Sequence, residues 1–497
     1  MGRKKPLRLT LIFTIALAMF LAGLGAARRL PVIEGIWVVV AFGVTGFVFS
    51  VSRKRPFLML ALSLTLFLLG WWRGALVMQQ TAIYDGLIGR TVTIQATAID
   101  DAVYSDRGQL EFAVGSMVLH EPFAVDLVGE MDVEGQGLPI VYRGDRLMIQ
   151  GRLFRKRGGQ IVGTSFAKLS LISRSKSPVE KIRRDFAAGM QDMLPERLAA
   201  FGLGILIGQR TTLDPTLEEE MITVGLIHIV AVSGYNLTVI IEIVRRLFRR
   251  RSRFQSLFFS LALIGIFLLF TGYAPSIVRA AVVSGISLIA WLWGRAFKPM
   301  LLLLSVAALT AGINPLYLWS NIGWYLSFTA FFGVLVVGPL LNQRFVPERW
   351  QEKMIPSVLS ETVSAQLCTL PVILYIFGRL SLISILANLL VVPLTPLAML
   401  LSFLAGLAGM FNFMFSKLIV LPGQIVLEYM LSISSLLAKV PYANIEVHID
   451  VLQMVILNLA ILALVVLLRV KIKARSAILT EIEEKPSHVR TQQVVNN

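Results

Sequence analysis

GLIHIVAVSGYNLTVI, Gly225–Ile240, places His228, Ser233, Asn236 and Thr238 inside an otherwise apolar run. The run lies within a longer one, Met221 to Val244, which reaches the roughly 20 residues that a spanning helix needs. Ser233 and Asn236 flank Gly234, and glycine weakens a helix where their polar atoms would be exposed. Irregular backbone at membrane depth is tolerated only where protein or a water-filled cavity satisfies it. The stretch therefore reads either as the wall of a hydrated pathway or as a small-residue helix contact, with Ser233 and Asn236 bonding across it.

The rest of the chain agrees that the solvent is lipid. Of 497 residues, 56% are hydrophobic and 15% charged, and the mean hydropathy is +0.73. That composition excludes a soluble globular enzyme. Further runs are Leu9 to Ala27, Val32 to Val51, Phe57 to Met78, Ser256 to Tyr273, Ile277 to Gly294, Met300 to Ile313, Leu316 to Leu341, Ser357 to Phe377, Leu382 to Phe411, Phe415 to Ala438 and Val451 to Val470. The expected fold is a polytopic α-helical membrane protein of about 12 spans, and the run holding Pro393 and Pro396 is expected to be broken. The first run exceeds the 7 to 15 apolar residues of a signal peptide and is read as a retained helix.

The net charge of +17 has a topological explanation. Seventeen basic residues fall in four clusters: Arg3 to Arg8, Arg53 to Arg55, Arg245 to Arg253 and Arg469 to Arg475. Alternating spans from a cytoplasmic N-terminus put all four inside, as the positive-inside rule requires. Both termini are then cytoplasmic, and residues 79 to 197 lie outside. Basicity is thus no evidence for nucleic acid by itself. The one cysteine, Cys368, excludes an intrachain disulfide and any thiolate cluster.

Within residues 79–177 the pattern changes to period two. Thr91, Thr93, Gln95 and Thr97 alternate with Val92, Ile94, Ala96 and Ala98, as in a half-buried strand. Further strands are expected at Leu110 to Leu119, Phe123 to Val128, Arg146 to Leu153 and Ile161 to Leu171, separated by glycine-containing turns. Five strands in so short a segment fit an inserted small β-barrel of OB type, extracytoplasmic by topology. Residues 79–134 hold ten acids and two bases, and residues 135–177 hold nine bases and one acid. Arg143, Arg146, Arg152, Arg155, Lys156 and Arg157 could therefore offer phosphates a basic strip. They could equally be solvated strand residues facing anionic head groups, since only Phe154 supplies a stacking ring there. Residues 178–197 read as an amphipathic helix on the membrane surface, with Ile182, Phe186, Met190 and Met193 at helical spacing.

Several segments in order resemble the ComEC competence family. These are FGLGILIGQRTTLDPTLEEEMITVG (residues 201–225), GLIHIVAVSGYNLTVI, TGYAPSIVRAAVVSG, GWYLSFTAFFGV and SAQLCTLPVILYIFGRLSLISILANLLVVPL. The matching region, with the front helices and outer module, covers about Gln79 to Phe411. The resemblance implies an inner-membrane channel for single-stranded DNA in bacterial transformation, with no chemistry of its own and no cofactor. Its implied partners are single-stranded DNA, membrane lipid, a DNA receptor, a cytoplasmic helicase or motor, and a nuclease. The family's pattern has Leu-His after Ser-Gly where this sequence has Tyr235 and Asn236. Longer members carry a C-terminal metallo-β-lactamase-like domain, and no HxDxDH cluster occurs here, so this sequence resembles a short form.

The resulting domain scheme is residues 1–78 as a three-helix membrane segment, 79–177 as the outer domain, 178–197 as the interfacial helix, 198–470 as the channel domain and 471–497 as a cytoplasmic tail. Besides the 225–240 stretch, Arg279 and Asn388 are polar residues within apolar runs. Arg279 either draws phosphates or snorkels outward; Asn388 either lines a cavity or makes an interhelical bond. The histidines His120, His228, His448 and His488 share no metal-ligand spacing, and no nucleophile triad or Walker loop is found. Two other classes remain: a secondary transporter or flippase for a smaller anionic solute, built on broken helices, and a membrane enzyme with a metal at Asp214 to Glu220, acids that are ordinary at a helix start.

Overall fold

The structure is a computed structural model describing residues 9–51, 55–104, 108–155, 162–209, 211–230, 234, 236–238, 241, 245, 252–272, 275–294, 298–351, 353–411 and 416–493, with side chains up to residue 472. It comprises two compact units. One contains residues 1–325 and 390–443, and the other residues 326–389 and 444–497.

The first unit opens with three helices: α1 (Leu9–Ala26), α2 (Gly35–Val51) and α3 (Arg55–Thr81). Helices α1 and α2 are apolar on all sides, as lipid-facing helices are, and α3 adds Arg73, which donates to the Gly312 and Ile313 carbonyls. Helices α1 and α3 run parallel and in backbone contact. A Cβ on Gly23 would lie 2.0 Å from the Phe67 carbonyl oxygen, one on Gly70 2.2 Å from that of Phe20, and one on Gly74 2.5 Å from Ala27 Cβ. Only small residues allow such an approach. Helix α2 joins α3 through the Thr45 and Thr65 hydroxyls, 2.7 Å apart.

After a short 3-10 turn comes the mixed sheet: β1 (Thr91–Ala98), β2 (Val103–Tyr104), β3 (Leu110–Glu121), β4 (Val125–Leu127), β5 (Met131–Gln136), β6 (Arg146–Phe154) and β7 (Gly163–Ser173). Pairing runs β1-β6-β7-β5-β3, and β3 pairs again with β1; β5–β7 is parallel and the other pairs antiparallel. Alternating residues Val92, Ile94, Ala96 and Ala98 point into a core with Val114, Leu119, Met131, Leu147 and Ile149. Strand β5 has no counterpart among the expected strands. Its Gly135 reads as a strand breaker, yet a Cβ there would lie 2.6 Å from the Ala167 carbonyl oxygen, so glycine is what lets β7 pair alongside.

Helix α4 (Pro178–Met193) is amphipathic as expected; protein covers Phe186, Gly189 and Met190 on its apolar face, while Ile182 stays exposed. Phe186 stacks on Phe403 with centroids 6.1 Å apart, and Gly189 meets the backbone of Gly409 and Met410 on α16 (Thr395–Met410). Next come α5 (Glu196–Ile207), α6 (Pro215–Thr223) and α7 (Ile227–Val230). The expected continuous span from Met221 is interrupted at Gly225, whose φ of +74° lies in the left-handed region that favours glycine. The unit continues with α8 (Arg253–Thr271), α9 (Pro275–Leu292), α10 (Pro299–Ile313) and α11 (Leu316–Ser320), and later contributes α17 (Ser416–Ala438).

Helix α12 (Ile322–Phe332) leads into the second unit, followed by a π turn at Gly333–Val337 and α13 (Gly338–Phe345). The expected run Leu316 to Leu341 is therefore divided, first at Asn321, whose side chain caps α12 by accepting from Trp324 N at 2.8 Å. The π turn lies where Gly333 approaches α14 (Met354–Phe377): a Cβ would sit 2.5 Å from the Ser364 carbonyl oxygen. The unit also holds β8 (Arg379–Ser381) paired with β9 (Asn444–Glu446), most of α15 (Ser384–Val391), and α18 (Val451–Gln493). A 3-10 turn at Val392–Leu394 separates α15 from α16, the break expected at Pro393.

Among the described residues, eight helical stretches are long and apolar enough to cross a membrane, and Gly35–Ser50, Ser276–Leu292 and Pro299–Ile313 are shorter apolar helices. The protein is a helical membrane protein carrying a mixed β-sheet domain.

Candidate pathway segment and outer-domain joint

Helix α5, too short to span, is buried at every position from Leu198 to Ile207. Its two glycines make this possible: a Cβ on Gly204 would lie 2.5 Å from Val230 Cγ1, and one on Gly202 3.0 Å from Ser402 Oγ. The final carbonyls of a helix have no partner within it. One of them, that of Ile205, accepts the Asn236 side-chain amide at 3.0 Å. Asn236 is 1% exposed. Two residues earlier, a Cβ on Gly234 would lie 2.8 Å from Ala280 Cβ, so the segment also touches α9. Arg279, beside that contact, is 4% exposed, and its Nη2 donates to the Ser276 carbonyl at 3.3 Å.

Gly234, Asn236 and Arg279 are thus gathered where the segment meets α5 and α9. His228 is exposed, with Nδ1 3.0 Å from the Gly225 carbonyl. A carbonyl only accepts, so Nδ1 carries a proton in this contact. Ser233 and Tyr235 lie outside the described residues. Asn388 belongs to the second unit, where its amide donates to the Ser384 carbonyl one turn earlier at 2.7 Å.

In the outer domain the basic strip divides. Arg143 is a structural joint: its Nη2 lies 2.7 Å from Glu180 Oε1, with both side chains 12% exposed, and the same nitrogen donates to the Leu269 carbonyl at 2.7 Å. Its backbone N–H donates to Asp101 at 2.9 Å, and Asp101 also accepts from Arg183 at 2.5 Å. Sheet, α4 and the C-terminal end of α8 are locked together by this network. The cation at that end also complements the helix dipole. Removing one member would leave a buried charge uncompensated, at a cost of about 3–5 kcal/mol. A run of basic residues in a sequence does not distinguish a ligand-facing arginine from one committed to such a joint. The acids that commit Arg143, Asp101 in the acidic half and Glu180 just beyond the basic half, are distant in sequence and meet it only in the fold. Arg146 is exposed; Arg152 donates to the Gly89 carbonyl at 2.7 Å, and Arg155 pairs with Asp85 at 2.6 Å on the surface. Lys156 and Arg157 lie outside the described residues.

The acids between 214 and 220 serve separate purposes. Asp214 caps α6, accepting from Thr216 N at 3.2 Å, and the Thr216 hydroxyl and N–H hold its carboxyl below the usual carboxylate range. Glu220 accepts from Arg197 at 3.0 Å and from the Ser435 hydroxyl at 2.5 Å. Among the described residues, no three potential metal-ligating side chains converge.

The family model described as Competence protein matches residues 205–472, from the end of α5 into α18. The chain belongs to the Competence protein family. ComE operon protein 3 of Bacillus subtilis (strain 168) is 25% identical over 305 residues, which cover 60% of this chain and 35% of that protein. The chain therefore spans only about a third of that relative's length over the matched region. No solved structure matches. The Competence match holds the contacts of Gly234, Asn236 and Arg279, whereas the sheet and first three helices precede it.

Proposed function

We propose that the protein is an inner-membrane channel that passes single-stranded DNA inward during natural transformation. The observation carrying this reading is that the Competence family match spans the segment holding Gly234, Asn236 and Arg279. A polyanion cannot cross hydrocarbon, so the helices of the family region enclose a wet path, with His228, Ser233, Gly234, Tyr235, Asn236 and Arg279 proposed on its wall in the first unit and Asn388 proposed separately as a pathway residue of the second. Asn236 and Arg279 are buried here, so under this reading the structure is a closed state. Opening parts Gly234 from Ala280 and releases the Asn236 amide to water or phosphate. No bond is made or broken in the transported strand.

The same reading places about twelve spans in the membrane, both termini in the cytoplasm, and the β-domain outside. Support for a closed OB-like barrel comes from β3 pairing back to β1 and from the parallel β5–β7 pair. The barrel guides DNA toward the helices, with Arg146, Arg152, Arg155, Lys156 and Arg157 offering phosphate contacts. Partners are a DNA receptor, a helicase or motor that supplies the pull, and a nuclease that removes the other strand. Deleting the gene and following labelled DNA tests the proposal. Label should accumulate outside the inner membrane and enter again on complementation; unchanged entry into the cytoplasm would sink it. The break between α15 and α16 favours one other reading, a secondary transporter for a smaller anion, which predicts solute-driven currents in liposomes and undisturbed DNA entry in the deletion strain.

A further inference from the structure

A crevice of about 810 Å³ opens beside the end of α1, and its lining includes Leu21, Arg28, Arg29, Leu30, Trp319 and Tyr325. Its walls are tied down. Trp319 Nε1 donates to the Leu24 carbonyl at 3.0 Å, Arg28 Nη1 donates to the Trp319 carbonyl at 3.3 Å, and the Tyr325 hydroxyl donates to the Leu318 carbonyl. Arg28 and Arg29 are both exposed, and among the described residues neither forms an ion pair.

The depth of the crevice follows from helix packing and does not depend on which way the protein is inserted. Helices α1 and α3 are parallel, with Ala27 level with Gly74. From Gly74, α3 climbs seven more residues to Thr81, about 10 Å at 1.5 Å per residue, and the sheet domain begins just beyond. That domain also reaches the crevice's other wall, since a Cβ on Gly129 would lie 3.3 Å from Leu316. The arginines therefore sit beneath the sheet at the level of phospholipid head groups. Trp319 and Tyr325 are the residue types that favour this layer, and exposed Leu30, Val32, Ile36 and Trp37 continue toward the hydrocarbon.

We infer that the crevice binds the head group of an anionic phospholipid, its phosphodiester between Arg28 and Arg29 and its acyl chains on the apolar surface around Leu21 and Leu30. Basic pockets between membrane helices bind such head groups. Two adjacent cations on the side opposite the Arg53 to Arg55 cluster run against the usual distribution of charge, and a resident anion offsets them. The inference is independent of DNA conduction.

Native mass spectrometry of the full chain, extracted into mixed micelles of phosphatidylglycerol and phosphatidylcholine, tests it. Phosphatidylglycerol should be retained in preference to phosphatidylcholine. Arg29→Gln, which leaves every bond of Arg28 in place, should lower retention about fivefold, and Arg28→Gln with Arg29→Gln should lower it further, while the exposed Arg90→Gln leaves it unchanged. Equal retention of the two lipids, or an unchanged Arg29→Gln, would overturn the site. So would loss of retention in Arg90→Gln, which would signify bulk charge. If inorganic phosphate alone displaces the lipid and raises thermal stability equally, the ligand is a small anion. If a single-stranded oligonucleotide does so, it is nucleic acid. Either outcome refutes the lipid assignment.

Discussion

Gly234 has room for a hydrogen and little more. A methyl group there would be 2.8 Å from Ala280 Cβ, closer than carbon atoms approach, so Gly234→Ala should destabilise the protein by about 1–3 kcal/mol. Thermal unfolding in detergent reads this directly, and Ala280→Gly in the same chain should restore most of the loss. Asp214 gives a pH signature instead. Its carboxyl is held below the ordinary range chiefly by the Thr216 hydroxyl, so its stabilising contribution is complete above the unfolded value and fades as pH falls through the folded one. Asp214→Asn keeps an accepting oxygen for the cap but removes the titration. Between pH 6 and the acid limit its stability should fall less steeply than the wild type's, a small difference because the group is exposed. At this scale the sequence singled out Ser233 and Asn236 on either side of Gly234. It could not say that Asn236 spends its amide on the Ile205 carbonyl, because residues 31 apart meet only through the folded chain.

Helix α4 shows what periodicity reveals and what it hides. The spacing of Ile182, Phe186, Met190 and Met193 located the helix and its apolar stripe, but a stripe is equally suited to lipid and to another helix. The deciding residues were Gly189 and Gly409, whose backbones touch: a Cβ on Gly409 would fall 1.9 Å from the Gly189 carbonyl oxygen. Gly189→Leu should therefore displace α4 from α16 at a cost of about 3 kcal/mol. Limited trypsin digestion would then cut at Lys181 or Arg184 well before wild type does, and an unchanged digestion pattern would show that α4 does not depend on this contact. Strand β5 was missed for a related reason, because a glycine that admits a neighbouring strand looks the same in sequence as one that ends a strand. The long apolar runs were legible because lipid imposes length and composition. Their breaks at Gly225 and Asn321 were not, because they depend on φ at one residue or on a single side-chain cap.

For the whole molecule, family membership and helical membrane architecture were readable from the chain, and the Competence match supports the first. The division into two units was not, since the boundary near Leu390 falls within an apolar run with no change in composition. On the proposed channel reading, conduction requires the contact at Gly234 to separate. Gly234→Ala, which crowds that contact, should then alter the rate at which labelled DNA enters, and Ala280→Gly in the same chain should bring the rate back. Entry unchanged in Gly234→Ala would show that the path lies elsewhere.

The contact of α1 with α3 has a consequence for biogenesis. Gly23, Gly70 and Gly74 bring the two helices together backbone to backbone, while α2 shows most of its surface to lipid. Of the front trio, α1 therefore gains its backbone partner only once α3 has been synthesised.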